Sequence, residues 1–262
     1  MENLSIPQTK VLNNDTILHL EDVSFSYHSL FGETDVLKNL SFSVKEGEFI
    51  AIVGPSGCGK STLLNIICGL LKIKSGKRVL APDTSIGYML QHDHLFEWRT
   101  IYENVTLGLE IQNQKTPENE EYVLSLLENY GLLEFKDKRP SELSGGMKQR
   151  AALIRTLALH PHILLLDEPF SALDYQTRLL VSSDIGRIIR QTNKTAILVT
   201  HNLSEAISLA DRVLVLSKRP SSIRKDFKIQ LTLPDDSLLA YRSAPEFQNY
   251  FNEIWELLLD EK

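Results

Sequence analysis

Apolar positions along this chain fall into runs of three kinds, and the difference between them predicts the layout. Residues 49–53, Phe-Ile-Ala-Ile-Val, and 163–166, Ile-Leu-Leu-Leu, are apolar at every position. Runs this short and unbroken fit strands buried on both faces of a parallel sheet. Residues 195–200, ending before His201, and 212–217 supply two more strands. Elsewhere apolar and polar residues alternate. Val23, Phe25 and Tyr27 share one face of residues 17–27, and Leu40, Phe42 and Val44 share one face before a turn at Gly47. These two segments read as antiparallel strands lying over the loop that follows residue 53. Residues 85–91 read as a short strand ending in the polar Gln91.

The third kind of run has helical spacing. Thr100-x-x-Glu103 is a capping box opening a helix with Ile101, Val105 and Leu109. A second helix carries Thr116 as N-cap, Pro117 at its first position and Gly131 past its end, with Val123, Leu127 and Tyr130 as its stripe. A third opens at residues 143–150, carries Leu153, Leu157 and Ala158, and stops at His160-Pro161. Some 40 residues of helix thus interrupt the alternation of strand and helix, which predicts a small helical insert. Beyond residue 220 the pattern changes again. Phe227, Ile229, Leu231 and Leu233 alternate as a strand, and Ser243-x-x-Glu246 caps a helix with Phe247, Phe251, Ile254 and Leu258 on one face. The expected organisation is one domain over 1–262: a core at 15–99 and 140–219, the helical insert at 100–139 and an extension at 220–262.

Composition narrows the class. A chain of 262 residues with 42% hydrophobic content can bury a large single core. The net charge of −6 argues against a nucleic-acid partner. The longest apolar stretch, around residues 63–71, falls well short of the ~20 residues a spanning helix needs. Residues 1–16 are polar and lack a signal peptide's layout. Two cysteines, Cys58 and Cys68, make no disulfide framework. The expectation is a cytosolic protein whose membrane role, if it has one, comes through a partner.

The candidate chemistry sits where strands end. Gly54, Pro55, Ser56, Gly57, Cys58, Gly59, Lys60, Ser61 and Thr62 fit the phosphate-loop pattern G-x-x-x-x-G-K-[ST], with a buried-type strand before it and a helix after it. Backbone N–H groups and the helix N-terminus converge there on one anion. Lys60 is placed to reach β- and γ-phosphates and Ser61 to ligate Mg²⁺. Cys58, at a helix N-terminus beside Lys60, is expected to be a reactive thiol. Strand 163–166 ends in Asp167 and Glu168. Asp167 suits Mg²⁺, while Glu168, one step further, suits a water that it orients or deprotonates. Gln91 is either a contact to Mg²⁺ or the water, or a solvated amide. His201 is either a donor to the γ-phosphate or a structural histidine. Tyr27 either stacks on an adenine ring or is an ordinary strand aromatic. Ser144-Gly145-Gly146 is a second anion-ready helix start, redundant within one subunit, which hints at a site shared between two chains.

Taken in order, these motifs resemble the ATP-binding subunit of an ABC transporter, over nearly all of residues 17–220. Tyr27 matches the A-loop aromatic, residues 54–62 Walker A, Gln91 the Q-loop, and Leu143-Ser144-Gly145-Gly146 the signature. Asp167-Glu168 closes Walker B, Ser171-Ala172-Leu173-Asp174 is the D-loop and His201 the H-loop. The resemblance implies an α/β P-loop NTPase (RecA-like) fold, with a parallel-sheet core, an antiparallel β subdomain and an inserted α-helical subdomain. Its implied cofactors are ATP and Mg²⁺. The implied assembly is a head-to-tail homodimer, or a pairing with a second ATP-binding subunit, in which one signature caps ATP on the other's Walker A. Transmembrane permease subunits hold it at the cytoplasmic face of the cell membrane, and an extracytoplasmic solute-binding protein acts indirectly. Residues 95–110, with Trp98-Arg99-Thr100, resemble the nitrate/sulfonate/taurine importer branch. Glu97 stands where that branch usually has proline, Met147 replaces the commoner glutamine, and the interval from Lys60 to Gln91 is short, which suggests a trimmed hairpin. A non-transport ABC ATPase, such as an iron–sulfur assembly subunit, and a nucleotide switch that barely turns over are the other classes.

Overall fold

Every residue of Phe49–Val53 is buried, because this strand (β3) has a hydrophobic cluster on each side of it. Phe49, Ala51 and Val53 face one cluster and Ile50 and Ile52 the other. The same division holds for Ile163–Asp167 (β6) and Thr195–Val199 (β7), so an unbroken apolar run is what a sheet covered on both faces requires. The structure is a computed structural model, and it describes residues 15–29, 32–171, 173–192, 194–232 and 238–259. Ala172 of the expected D-loop, Leu233 and residues 1–14 lie outside the described residues.

The main sheet has six strands in the order β5-β6-β7-β3-β8-β9, where β5 is Ile86–Met89, β8 is Arg212–Leu216 and β9 is Ile223–Lys228. β5, β6, β7, β3 and β8 run parallel, and β9 closes the edge antiparallel to β8. Thr16–Ser29 (β1), Gly32–Lys45 (β2) and Ser75–Leu80 (β4) form a separate antiparallel sheet ordered β2-β1-β4. This sheet covers the loop after β3, as the alternating pattern implied.

One detail of β1 differs. Val23, Phe25 and Tyr27 do not share a face, because the ladder slips between Phe25 and Ser26. Ser26 turns inward and Tyr27 turns out, with 45% of its surface exposed. A bulge shifts side-chain parity by one, which period-2 reading does not anticipate.

Helices fill both faces. Lys60–Ile67 (α1) follows β3. The expected helix from Ile101 is split at Thr106 into Ile101–Val105 (α2) and Leu107–Ile111 (α3). The Thr106 hydroxyl donates to the Tyr102 carbonyl at 2.8 Å, a back-bond that competes with regular helix geometry. Pro117–Asn129 (α4) has the expected Thr116 cap, proline start and Gly131 stop at φ 67°. Gly145–Leu157 (α5) starts at Ser144, whose hydroxyl accepts the Met147 N–H at 3.4 Å. Tyr175–Gln191 (α6) and Leu203–Leu209 (α7), capped by Asp174 and Asn202, complete the order before β8.

The tail departs from its pattern. The strand is Ile223–Lys228, earlier than the alternation of Phe227, Ile229, Leu231 and Leu233 suggested. Ser243 ends a short helix, Leu238–Ser243 (α8), and does not cap the next, Phe247–Leu259 (α9). The Glu246 carboxylate is taken by Thr232, accepting its N–H at 3.1 Å and its hydroxyl at 2.7 Å. Tertiary pairing outcompetes the local capping box here.

Candidate functional site

Parallel strands deliver their carboxyl ends to one edge of the sheet, the place where open α/β sheets bind ligands. At that edge lies a cleft of about 340 Å³, lined by Tyr27, Val36, Ser56, Gly57, Gly59, Lys60, Ser61, Thr62, Glu168 and Arg219. Its floor is the loop between β3 and α1. Gly59 sits at φ 112°, and a Cβ there would stand 2.6 Å from Cγ1 of Val36, so only glycine lets β2 close over the loop. Lys60 is buried and folds back across the loop, its ammonium donating to the Gly54 and Pro55 carbonyls at 2.9 and 3.1 Å. A cation held on backbone carbonyls inside a ring of loop amides suits a polyphosphate.

Asp167 and Glu168 leave the same strand in different directions. Asp167 is only 7% exposed; its carboxylate accepts the Ser61 hydroxyl at 3.1 Å and the Tyr88 hydroxyl at 3.3 Å. Burial pushes its pKa up, partly offset by those two hydrogen bonds, with Glu168 next door pushing the same way as burial. Burial and the Asp167 charge also push the Tyr88 phenol up, so it stays a donor. Glu168 has φ 45°, an uncommon backbone for a non-glycine residue. Its N–H donates to the Val199 carbonyl at 2.8 Å and its carbonyl accepts the Ser171 hydroxyl at 3.0 Å, which hold that conformation. The left-handed turn swings the side chain off the strand line, so that Oε2 lies 3.1 Å from Nδ1 of His201.

Gln91 lies beside this group, with Nε2 3.5 Å from the Ser171 hydroxyl. Tyr27 stands at the rim, its hydroxyl 3.4 Å from that of Thr62 and its ring edge-on to Phe25 at 4.8 Å. Gly54 lies under the loop against Leu216.

Cys58 corrects one expectation. It is 1% exposed and packs beneath the loop, and burial, outweighing the nearby Lys60 charge, raises its thiol pKa. The helix N-cap is Gly59, and a buried thiol with a raised pKa lacks the thiolate character that the motif position suggested.

The structure does not bring Ser144, Gly145 and Gly146 to the cleft. A Cβ on Gly145 would meet Leu173 at 3.4 Å, and one on Gly146 would meet Thr177 of α6 at 2.8 Å. Within one subunit the helix start at Ser144 lies outside the cleft that the phosphate loop lines.

Two residues near the site escaped sequence reading. Glu205 is buried behind His201; its carboxylate accepts the Thr200 hydroxyl at 2.7 Å, and burial raises its pKa. Arg219 reaches the cleft from the β8–β9 turn. Glu205 is placed by the first turn of α7, just after His201, and Arg219 by the sheet order.

The residues fit MgATP chemically. Among the described residues no cluster of three or more His, Cys, Asp or Glu side chains could hold a metal alone. The convergent Ser61 hydroxyl and Asp167 carboxylate are instead the partial oxygen set that Mg²⁺ takes when phosphates complete its shell.

Comparison with known proteins agrees with this geometry. The family model described as "ABC transporter" matches residues 37–171, just over half of the chain. An uncharacterised ABC transporter ATP-binding protein, YtlC of Bacillus subtilis, is 43% identical over 93% of this chain and 96% of its own. The nitrate import ATP-binding protein NrtD of Synechocystis is 39% identical, covering 92% of this chain and 95% of its own. The taurine import ATP-binding protein TauB of Roseobacter denitrificans is 37% identical with the same coverage. Among solved structures, a dimeric post-hydrolysis state of the ATP-binding cassette MJ0796 with ADP and Pi superposes with TM-score 0.70. It is 31% identical and covers 82% of this chain and 99% of its own. The site and these relatives together lead to one assignment: the chain belongs to the ABC transporter family and is one of its ATP-binding subunits.

Proposed function

We propose that this subunit binds MgATP in the cleft, closes head to tail on a second ATP-binding subunit, and hydrolyses ATP to drive a permease. The permease imports a small solute of the nitrate, sulfonate or taurine kind. The observation that carries the catalytic part is the divergence of two adjacent carboxylates, Asp167 towards Ser61 and Glu168 towards His201. The relatives favour an importer over a non-transport ATPase, since they include nitrate and taurine import ATP-binding proteins. A permease partner would hold the subunit at the cytoplasmic face, with a solute-binding protein acting on the far side. No helix among the described residues is long and apolar enough to cross a membrane, so attachment through such a partner is in keeping with the chain.

The roles follow from position. Loop amides and Lys60 bind the β- and γ-phosphates, and Tyr27 offers an exposed ring to adenine. Ser61 and Asp167 would hold Mg²⁺, and Gln91, beside Ser171, would contact the ion or the attacking water. Bound there, Mg²⁺ neutralises phosphate charge and orients the γ-phosphoryl group. Glu168 accepts the proton of the attacking water. The Nδ1–H of His201 is at hand for the Glu168 carboxylate or a γ-phosphate oxygen. Ser144, Gly145 and Gly146 of the second subunit cap the γ-phosphate.

Glu168→Gln tests this. The amide keeps the shape but cannot take a proton, so steady-state phosphate release should fall ~10²- to 10⁴-fold. MgATP affinity should survive, and size-exclusion chromatography with MgATP should show a dimer for this variant and mostly monomer for the wild type. Turnover at the wild-type rate would move the general base to another residue.

A further inference from the structure

The turn joining β8 to β9 is fastened to both walls of the cleft. Ser221 is fully buried; its N–H donates to the Val36 carbonyl at 2.8 Å, and its carbonyl accepts the Lys38 N–H at 2.9 Å. Its hydroxyl donates to the Cys58 carbonyl of the phosphate loop. Across the base of the turn, the Ser217 N–H donates to the Ser222 carbonyl and the Ser222 N–H to the Ser217 hydroxyl, both at 3.0 Å. The turn is therefore registered against β2 and the phosphate loop together.

Arg219 sits two residues before Ser221 and lines the same cleft as Tyr27, Lys60 and Glu168. Its guanidinium lies beside the middle of the phosphate loop, where a Cβ built on Gly57 would be 3.9 Å from Nη2. It makes no ion pair or hydrogen bond with any described residue, unlike Arg212, which binds Glu48 and Asp226. The strand order puts β8 on one flank of β3 and β7 and β6 on the other, so Arg219 and the carboxylates of the cleft face each other across the loop. A planar guanidinium with no carboxylate partner, carried on a fixed turn beside loop amides, is suited to bidentate contact with phosphate oxygens.

We propose that Arg219 is a second cation of the nucleotide site, binding the polyphosphate tail on the flank opposite Asp167 and Glu168. This rests on reading the cleft as an ATP site. Lys60 then meets the tail from within the loop and Arg219 from its outer side.

Calorimetric titration of the full chain with MgATP, and competition by inorganic tripolyphosphate, test the proposal. Arg219→Ala should weaken both ligands about tenfold, the loss expected for one charge-assisted phosphate contact, and Arg219→Lys should recover part of it. Tyr27→Ala should weaken MgATP and leave tripolyphosphate unchanged. Arg219 is exposed, so its melting temperature should be kept; Arg219→Gln gives a second neutral variant with the same expected loss. Unchanged affinity in Arg219→Ala and Arg219→Gln for both ligands would overturn the proposal. So would a loss confined to MgATP, which would place the guanidinium on the nucleoside. Failure of the wild type to bind MgATP would instead overturn the site reading itself.

Discussion

Asp167 and Glu168 are sequence neighbours that the backbone sends into different surroundings, and the difference has a measurable consequence. Burial raises the Asp167 carboxyl above its ordinary value of 3.8. Between 3.8 and that raised value the folded protein holds a proton that the unfolded chain has released. Stability therefore falls as pH rises through this window, and above it the cost of the buried charge is fully present. Asp167→Asn should raise the melting temperature of the nucleotide-free protein at pH 7, with the gain shrinking towards pH 4. The same variant should lose the Mg²⁺ dependence of nucleotide binding. An unchanged or lowered melting temperature at pH 7 would mean that Ser61 and Tyr88 already compensate the charge. Cys58 shows the opposite lesson, since its place in the motif suggested activation while its burial raises the thiol pKa.

Residues 96–100, between β5 and α2, close around the side chain of Asn104. Asn104 is fully buried; its carbonyl accepts the Phe96 N–H at 2.7 Å, and its amide donates to the carbonyls of Phe96, Arg99 and Thr100. Arg99 adds a two-pronged pair to Glu110, at 2.7 and 3.2 Å. On this frame Trp98 is 71% exposed, its ring against Phe96 at 4.6 Å. Asn104→Ala strands buried backbone groups and should cost about 1–3 kcal/mol in denaturant unfolding. Trp98→Ala should change stability by no more than ~0.5 kcal/mol and leave the basal rate of the isolated subunit intact. If this surface meets the permease, Trp98→Ala should lower permease-stimulated ATPase severalfold. Equal falls in both rates would make Trp98 a packing residue. Glu97, the departure from the importer pattern, lies 3.9 Å from Lys148 on α5, so the segment also touches the signature helix.

The assembled molecule keeps its two anion-ready helix starts apart, one at the cleft and one on α5 against α6. A site completed by a second copy predicts a separation of functions. The double variant Ser144→Arg, Glu168→Gln should still bind MgATP, more weakly than Glu168→Gln alone because the dimer's contribution is lost, and should elute as a monomer. The lost Ser144 cap should cost about 1 kcal/mol, too little to unfold a chain of this size. A dimer from the double variant would remove Ser144 from the subunit interface.

What the chain alone determined is what depends on local chemistry and simple periods. Continuous apolar runs marked β3 and β6, since a strand covered on both faces has no polar position to spare. Glycine spacing marked the phosphate loop, and the cap, proline and glycine of α4 marked its ends. Motif order was enough to name the family. Only tertiary structure decided the rest. A ladder slip turned Tyr27 outward, and a back-bond at Thr106 split a helix. Thr232 claimed the Glu246 carboxylate and undid a capping box. Strand order brought Arg219, 159 positions from Lys60 in sequence, to the other side of the same loop. Each of these depends on which segment becomes a neighbour, and sequence periodicity carries no record of partners so far along the chain.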